Sequence, residues 1–336
     1  MKAVGYRKSL PIDAPEALQD ITLDVPQPGA RDLLVKVSAV AVNPVDTKIR
    51  LNTEPENGAY KVLGWDAAGI VEATGSEVSL FRPGDKVWYA GDVTRPGTNA
   101  EYQCVDERIV GRVPENLSMA EAAAMPLTTV TAWELLFDRL GVQQGKGHGK
   151  TLLVVGASGG VGSVLVQLAR QLTELTVIGT ASRDATRDWV LSLGAHKVID
   201  HSKPLTDGLS QIGVSEVDYV ASLTHTDEHI DQIVEALRPQ GKLALIDDPL
   251  QLDVRKLKRK SLSLHWEFMY TRSLFQTDDQ IEQHRILMKV ADLVEQGVLR
   301  TTVADHYGVI NADNLRRAHA VMEAHQARGK IVLEGF

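Results

Sequence analysis

The sequence predicts an α/β protein in two parts, a twisted antiparallel barrel and a parallel sheet flanked by helices. Two observations carry this expectation. The first 120 residues hold short β-prone runs punctuated by Gly, Pro and Asp, as in small antiparallel barrels. From Thr151 onward, apolar β-rich runs alternate with helical patterns, which calls for βαβ crossovers. The length of 336 residues agrees, because it exceeds the roughly 250 to 300 residues at which single cores stop growing.

In chain order, the barrel strands are LLVKVSAVAV, AAGIVEATG, GDKVWYAG, AEYQCV and RIVGRVP. The texture changes near Ser118, which stands three residues before Glu121 as in a capping box and opens the helix-prone stretch SMAEAAAMPLTTVTAWELLFDRL. The alternating part runs from LLVVG through the helix GGVGSVLVQLARQL to LTVIGTA, then from the helix DATRDWVLSLGA to KVIDH. Asp184 reads as the N-cap of a helix starting at Ala185. VDYVASL, the helix DEHIDQIVEALRPQG and GKLALID follow, with Thr226 or Asp227 as N-cap and His225 in the preceding loop. SLSLHWEFMY, the long helix DDQIEQHRILMKVADLVEQG, TTVADHYG, a further helix and the terminal strand KIVLEGF complete the chain. No internal repeat is present, which excludes solenoids.

Composition narrows the function. A net charge of -8 argues against a phosphate-backbone binder. The basic run RKLKRK at 255 to 260 lacks interleaved aromatics and reads as a solvated face. With one cysteine, Cys104, no disulfide forms within the chain, and no histidine precedes His148. Cys104 reads as a buried strand residue, since a reactive thiol needs an activating partner. His225, Glu228 and His229 spell HxxEH, but with His225 in a loop they do not share one helix face as a zinc pair must. The N-terminus has no apolar h-region and no stretch approaches the roughly 20 apolar residues of a membrane span, so a cytoplasmic location is expected.

The strongest local signal is LLVVGASGGVGSVLVQLA. An apolar strand runs into Gly156, Ala157, Ser158, Gly159, Gly160, Val161 and Gly162, then directly into an amphipathic helix. The spacing departs from GxGxxG, yet strand, turn and helix stand where a pyrophosphate needs close backbone approach and a helix N-terminus. At the end of the next strand an NAD-specific site places an acid, whereas GTASRD offers Ser182 and Arg183. A hydroxyl with a guanidinium suits a 2′-phosphate, so NADPH is the expected cofactor.

From end to end the chain resembles the medium-chain dehydrogenase/reductase superfamily, in its zinc-free branch of quinone oxidoreductases and enone reductases. The segments that carry the resemblance are VNPVDTKIR at 42 to 50, GWDAAGIVEATGSEVSLFRPGDKVW at 64 to 88, AAAMPLTTVTAWELL at 122 to 136, GASGGVG and the closing GKIVLEG. In texture it is similar to the zinc-type alcohol dehydrogenase-like subgroup. The resemblance implies a GroES-like β-barrel catalytic domain, residues 1–125 and 273–336, and a Rossmann domain with a doubly wound parallel sheet, residues 126–272, with NADPH in the cleft between them. A homodimer is expected.

Zinc members carry a cysteine where Asn43 stands and Gly-His-Glu where Gly64, Trp65 and Asp66 stand, so no metal is expected here. Without one, acceptors that already delocalise charge are favoured, namely quinones and α,β-unsaturated carbonyls. The substrate loop falls on Asn43, Asp46, Lys48 and Arg50, the first three being the candidate catalytic residues; Lys48 stands where several relatives have tyrosine. The resemblance also places Thr131 beside the nicotinamide and the backbone of Ile246 and Asp247 along its far side. Tyr60, Trp65, Trp266 and Phe268 are candidate walls of the substrate pocket. Two alternatives stay open: an enoyl-thioester or aldehyde/alcohol reductase of the same superfamily, and a non-catalytic protein binding NADPH and RNA.

Overall fold

A computed structural model describes residues 1–336 and divides into two compact units, residues 1–130 with 270–336, and residues 131–269. The first unit begins with β1 (Lys2–Tyr6), β2 (Gln19–Thr22), β3 (Asp32–Val42) and, after helix α1 (Pro44–Asn52), β4 (Lys61–Val62). Strands β2, β1 and β4 form a small antiparallel sheet. The larger sheet grows around β3, whose β-branched and leucine residues are buried along most of its length.

One edge of β3 pairs antiparallel with β5 (Ala67–Thr74), interrupted by irregularities near Leu34 and Val37 that bend the strand. β6 (Lys86–Tyr89) continues the sheet, β7 (Tyr102–Asp106) covers the first half of the other edge of β3, and β8 (Val110–Arg112) pairs with β6. Cys104 stands on β7 as a strand residue, but it is half-buried rather than buried. Burial, and the charge of Asp32, push its thiol up to about 11, which leaves it unreactive. Helix α2 (Met119–Ala123) opens on the expected box: the Ser118 hydroxyl accepts the Glu121 N–H at 3.2 Å and the Glu121 carboxylate accepts the Ser118 N–H at 2.9 Å. Helix α3 (Pro126–Trp133) runs on into a π-helical turn at Glu134–Arg139.

The second unit is a six-stranded parallel sheet of β9 (Thr151–Val155), β10 (Thr176–Thr180), β11 (Lys197–Ile199), β12 (Val217–Ser222), β13 (Leu237–Leu245) and β14 (Ser263–Trp266). Its order is β11-β10-β9-β12-β13-β14, doubly wound, so the order reverses between β9 and β12. The helices α4 (Gly160–Leu172), α5 (Asp184–Ser192), α6 (Leu205–Gln211) and α7 (Thr226–Ala236) connect the strands. The core joins Leu153, Val155 and Ile178 of the sheet to Leu205, Leu209, Ile230 and Ile233 of the helices. Two caps differ from expectation. Arg183, not Asp184, is the N-cap of α5, and Asp184 is its first residue. The left-handed residue before α7 is His225 itself, and the Thr226 N–H and hydroxyl turn to the Asp247 carboxylate at 2.8 and 2.5 Å.

The tail returns to the first unit with α8 (Thr271–Leu274), α9 (Glu282–Glu295), β15 (Val303–His306), α10 (Ala312–Glu323) and β16 (Lys330–Glu334). β16 pairs antiparallel with the second half of β3, placing Ile331 opposite Val42. No helix is long and apolar enough to cross a membrane.

Candidate functional site

In the second unit the site is built at the carboxyl ends of the strands. The chain leaves β9 at Gly156, whose φ of +82° favours glycine, and its N–H donates to the Thr180 hydroxyl at the end of β10, 3.1 Å away. At Gly162 a methyl group would lie 2.5 Å from the Gly156 carbonyl oxygen, so only glycine lets α4 start this close to the turn. Ser158, Gly159, Gly160 and Val161 sit half-buried along the turn, and Gly159 is the N-cap of α4 with no side chain to cover its N–H groups. Uncapped N–H groups at the start of a helix can receive an anion. Ser182 and Arg183 are exposed between β10 and α5. Ile246 follows β13, and its N–H bonds the Ser222 carbonyl at 3.3 Å. Thr131 is buried in α3.

The π-helical turn carries a second buried charge group. Arg139 Nε donates to Glu267 at 2.8 Å, and its Nη2 lies 3.7 Å from Glu134, both carboxylates being shut off from solvent. Burial first, and the Glu134 charge next, push the Glu267 carboxyl up to about 9, so the two acids hold a proton between them. Glu267 turns inward, whereas Trp266 and Phe268 on either side are 52% and 48% exposed.

In the first unit, the candidate Asn43 meets a residue the sequence did not flag. Lys330, the first residue of β16, is buried, and its Nζ donates to Val42 O at 3.1 Å, Asn43 Oδ1 at 2.5 Å and Asp66 Oδ2 at 2.8 Å. Asn43 Nδ2 donates to Asp66 Oδ2 at 2.9 Å, and the other oxygen of Asp66 accepts the Leu127 N–H at 2.8 Å, which anchors the start of α3. Asp46 Oδ2 caps α1 by accepting the Asn43 N–H at 2.5 Å.

Burial pushes the Asp46 carboxyl up to about 7, against the N–H groups of Asn43 and Gly64 and the Lys330 charge. Asp66 is raised by burial as well, with Lys330 as the chief opposing influence. Tyr270 is buried, and burial with the charges of Asp46, Asp66 and Asp92 holds its hydroxyl far above its ordinary range.

These contacts revise several roles. The Asn43 amide is committed to Asp66, and Asp46 to the cap of α1, so both are buried positioning groups rather than groups presented to a substrate. Lys48 is exposed on α1. Arg50 is fully buried, donating to the Leu10 carbonyl and the Glu323 carboxylate. Trp65 is fully buried with Nε1 on the Asp92 carbonyl at 3.0 Å, and Tyr60 lies beneath the Arg7 guanidinium with its hydroxyl on Gln19 at 3.0 Å.

A zinc ion does not fit this donor set. Between Asn43 and Asp66 lies the Lys330 ammonium, a cation already paired, and Trp65 offers no lone pair. No group of three His, Cys, Asp or Glu side chains converges as metal ligands would. In RKLKRK, Arg255 pairs with Asp253, Lys256 with Asp231, and Lys260 donates to the Glu235 and Leu237 carbonyls, which leaves less of the run for a nucleic acid.

Residues 29–131 match the alcohol dehydrogenase GroES-like domain family, and residues 193–333 match the zinc-binding dehydrogenase family. A zinc-type alcohol dehydrogenase-like protein of Staphylococcus epidermidis is 38% identical over 336 residues, covering 99% of each chain. The structure of a candidate zinc-dependent alcohol dehydrogenase protein of Rhizobium etli CFN 42 is 54% identical, with a TM-score of 0.96 over 100% of this chain and 98% of that one. Quinone oxidoreductase of Escherichia coli, in complex with NADPH, is 25% identical with a TM-score of 0.84 over 99% of this chain and 100% of that one.

Proposed function

Because the chain belongs to the medium-chain dehydrogenase/reductase superfamily, in its quinone oxidoreductase-like branch, we propose that it is an NADPH-dependent oxidoreductase passing hydride, without a metal, to quinones or other α,β-unsaturated carbonyls. The observation that carries the reading is the Lys330 ammonium lodged between Asn43 and Asp66. An acceptor whose carbonyl needs strong polarisation by a Lewis acid finds none at these residues, while a conjugated acceptor spreads the incoming charge by itself.

When bound, the nicotinamide supplies the hydride. The chain's own contribution is placement. The bare glycine turn and the N-terminus of α4 receive the pyrophosphate, and Ser182 with Arg183 hold the 2′-phosphate. Asn43 and Asp46 lock α1, from which Lys48 offers a positive charge toward a developing enolate. Support for NADPH over NADH comes from the absence of an acid at Ser182 and from the NADPH complex of the Escherichia coli relative.

The test is a panel of NADPH and NADH against 1,4-naphthoquinone, a linear enone, an acyl-CoA enoyl thioester, a simple aldehyde and an alcohol with oxidised cofactor, each with and without chelator. Turnover of the quinone or enone with NADPH, unchanged by chelator, is expected. Chelator-sensitive alcohol oxidation, or faster turnover of the thioester or the aldehyde, would overturn the proposal.

A further inference from the structure

Three histidines stand around the glycine turn without a role in the scheme above. The Thr180 hydroxyl that receives the Gly156 N–H also meets His201 Nδ1 at 3.2 Å, so His201, just past β11, is tied to the turn through one side chain. On the β12 side, a methyl group at Gly156 would meet the Thr224 methyl at 3.0 Å, and the Thr224 hydroxyl holds His225 Nδ1 at 2.6 Å. His229 stands in the first turn of α7, and its Nδ1 is buried without a hydrogen-bond partner.

We propose that His201 and His229 form a proton-gated part of the site for the cofactor's 2′-phosphate, beside Ser182 and Arg183, so that NADPH is taken up together with protons. The inference rests on the NADPH reading above and names what regulates that site. The imidazole of His201 is held below its ordinary range by burial first, then by His229, with His225 and Arg183 acting the same way and Asp200 opposing. For His229 burial again leads, with His225 acting the same way, while Glu228, Asp227 and Asp247 oppose. Near neutral pH the rings of His201 and His229 are therefore largely uncharged, while the Arg183 guanidinium, which acts on His201, keeps its charge. A 2′-phosphate brings a charge of roughly −1.5 to −2 at pH 7, which offsets the mutual repulsion of protonated imidazoles and raises their affinity for protons. By linkage, a ligand that raises a pKa binds more tightly as pH falls through that pKa. NADH, with a plain 2′-hydroxyl, lacks the charge that would do this.

Calorimetric titration of the full chain with NADPH and with NADH at pH 6.5, 7.5 and 8.5, each in two buffers of different ionisation enthalpy, reads both affinity and proton uptake. The lower limit stays above the phosphate's own pKa near 6. NADPH is expected to bind about tenfold more tightly at pH 6.5 than at pH 8.5 with net proton uptake, and NADH to change by less than about twofold. His201→Asn and His229→Asn are each expected to reduce the NADPH slope and the proton uptake. The double variant should abolish both; the single variants serve if it does not fold. Equal slopes for the two cofactors, or a slope and proton uptake that survive both single variants, overturn the inference. A preference for NADPH that is flat with pH removes the histidine role alone, whereas no preference at any pH removes the NADPH reading and this inference with it.

Discussion

The ammonium of Lys330 lies 2.8 Å from the carboxylate of Asp66, and both side chains are closed to solvent, with 3% and 0% exposed. Desolvating two charges is costly, and removing only one leaves the other unpaired in a low-dielectric interior. Lys330→Met is therefore expected to lower the unfolding free energy by about 3–5 kcal/mol in urea titration at pH 7. Adding Asp66→Asn should recover a large part of the loss. Strictly additive losses in the double variant would show that the two groups are not coupled.

Asp46 adds a pH dependence of definite sign. Its folded pKa, about 7, lies above the ordinary 3.8. Between these values the native state holds a proton that the unfolded state has released, so stability falls as pH rises from about 4 to 7 and then levels off for this group. Each pKa unit is worth about 1.4 kcal/mol. Asp46→Asn keeps an acceptor for the Asn43 N–H and is expected to flatten chemical-denaturation stability across pH 4 to 7. An unchanged slope would show that Asp46 is ionised in the folded protein.

Glu267 has the same sign in a higher window. With its folded pKa pushed up to about 9 from 4.5, its contribution falls as pH rises from about 4.5 to 9. Glu267→Gln retains an acceptor for Arg139 and donors for Glu134 without needing the shared proton. The variant's Tm is expected to exceed that of the parent by about 2–4 °C at pH 9 and to match it near pH 4.5. A lower Tm at pH 9 would mean that the Arg139 ion pair outweighs the repulsion between the acids.

Arg183 is the test of cofactor choice. A charge-assisted hydrogen bond contributes roughly 1.5 to 3 kcal/mol, so Arg183→Ala should reduce the NADPH to NADH ratio of kcat/KM by about 10- to 150-fold. The loss should fall on NADPH, with NADH nearly unchanged. A ratio that does not move would assign the 2′-phosphate to other groups.

Much of the fold was legible in short stretches. The alternation of apolar strands and helical patterns after Thr151, the glycine-rich entry to α4 and the box at Ser118 are local features, and each appears where the sequence puts it. The caps of α5 and α7 shifted by one or two residues because several polar residues stand in a row there, and the bond from Asp247, not the order of candidates, settled the start of α7.

At the candidate site the glycine turn was legible in the sequence, and the buried charge cluster was not. Asn43 and Asp46 read as groups facing a substrate, yet Lys330 draws Asn43 inward across 287 residues and Asp66 across 264. The signal in the sequence was a lysine heading the apolar run KIVLEG, which by itself reads as a surface strand end. Glu267 was hidden for the same reason, its partners Arg139 and Glu134 lying far away in the chain.

By itself the sequence determined the fold class, the glycine turn and the absence of zinc-type ligands at positions 43 and 65, because hydrophobic period, backbone freedom and donor chemistry belong to single residues or short runs. The tertiary structure decided which charges are buried and what they face. That depends on the register with which β16 meets β3, and on the depth to which each side chain is carried, and neither is a property of any one segment.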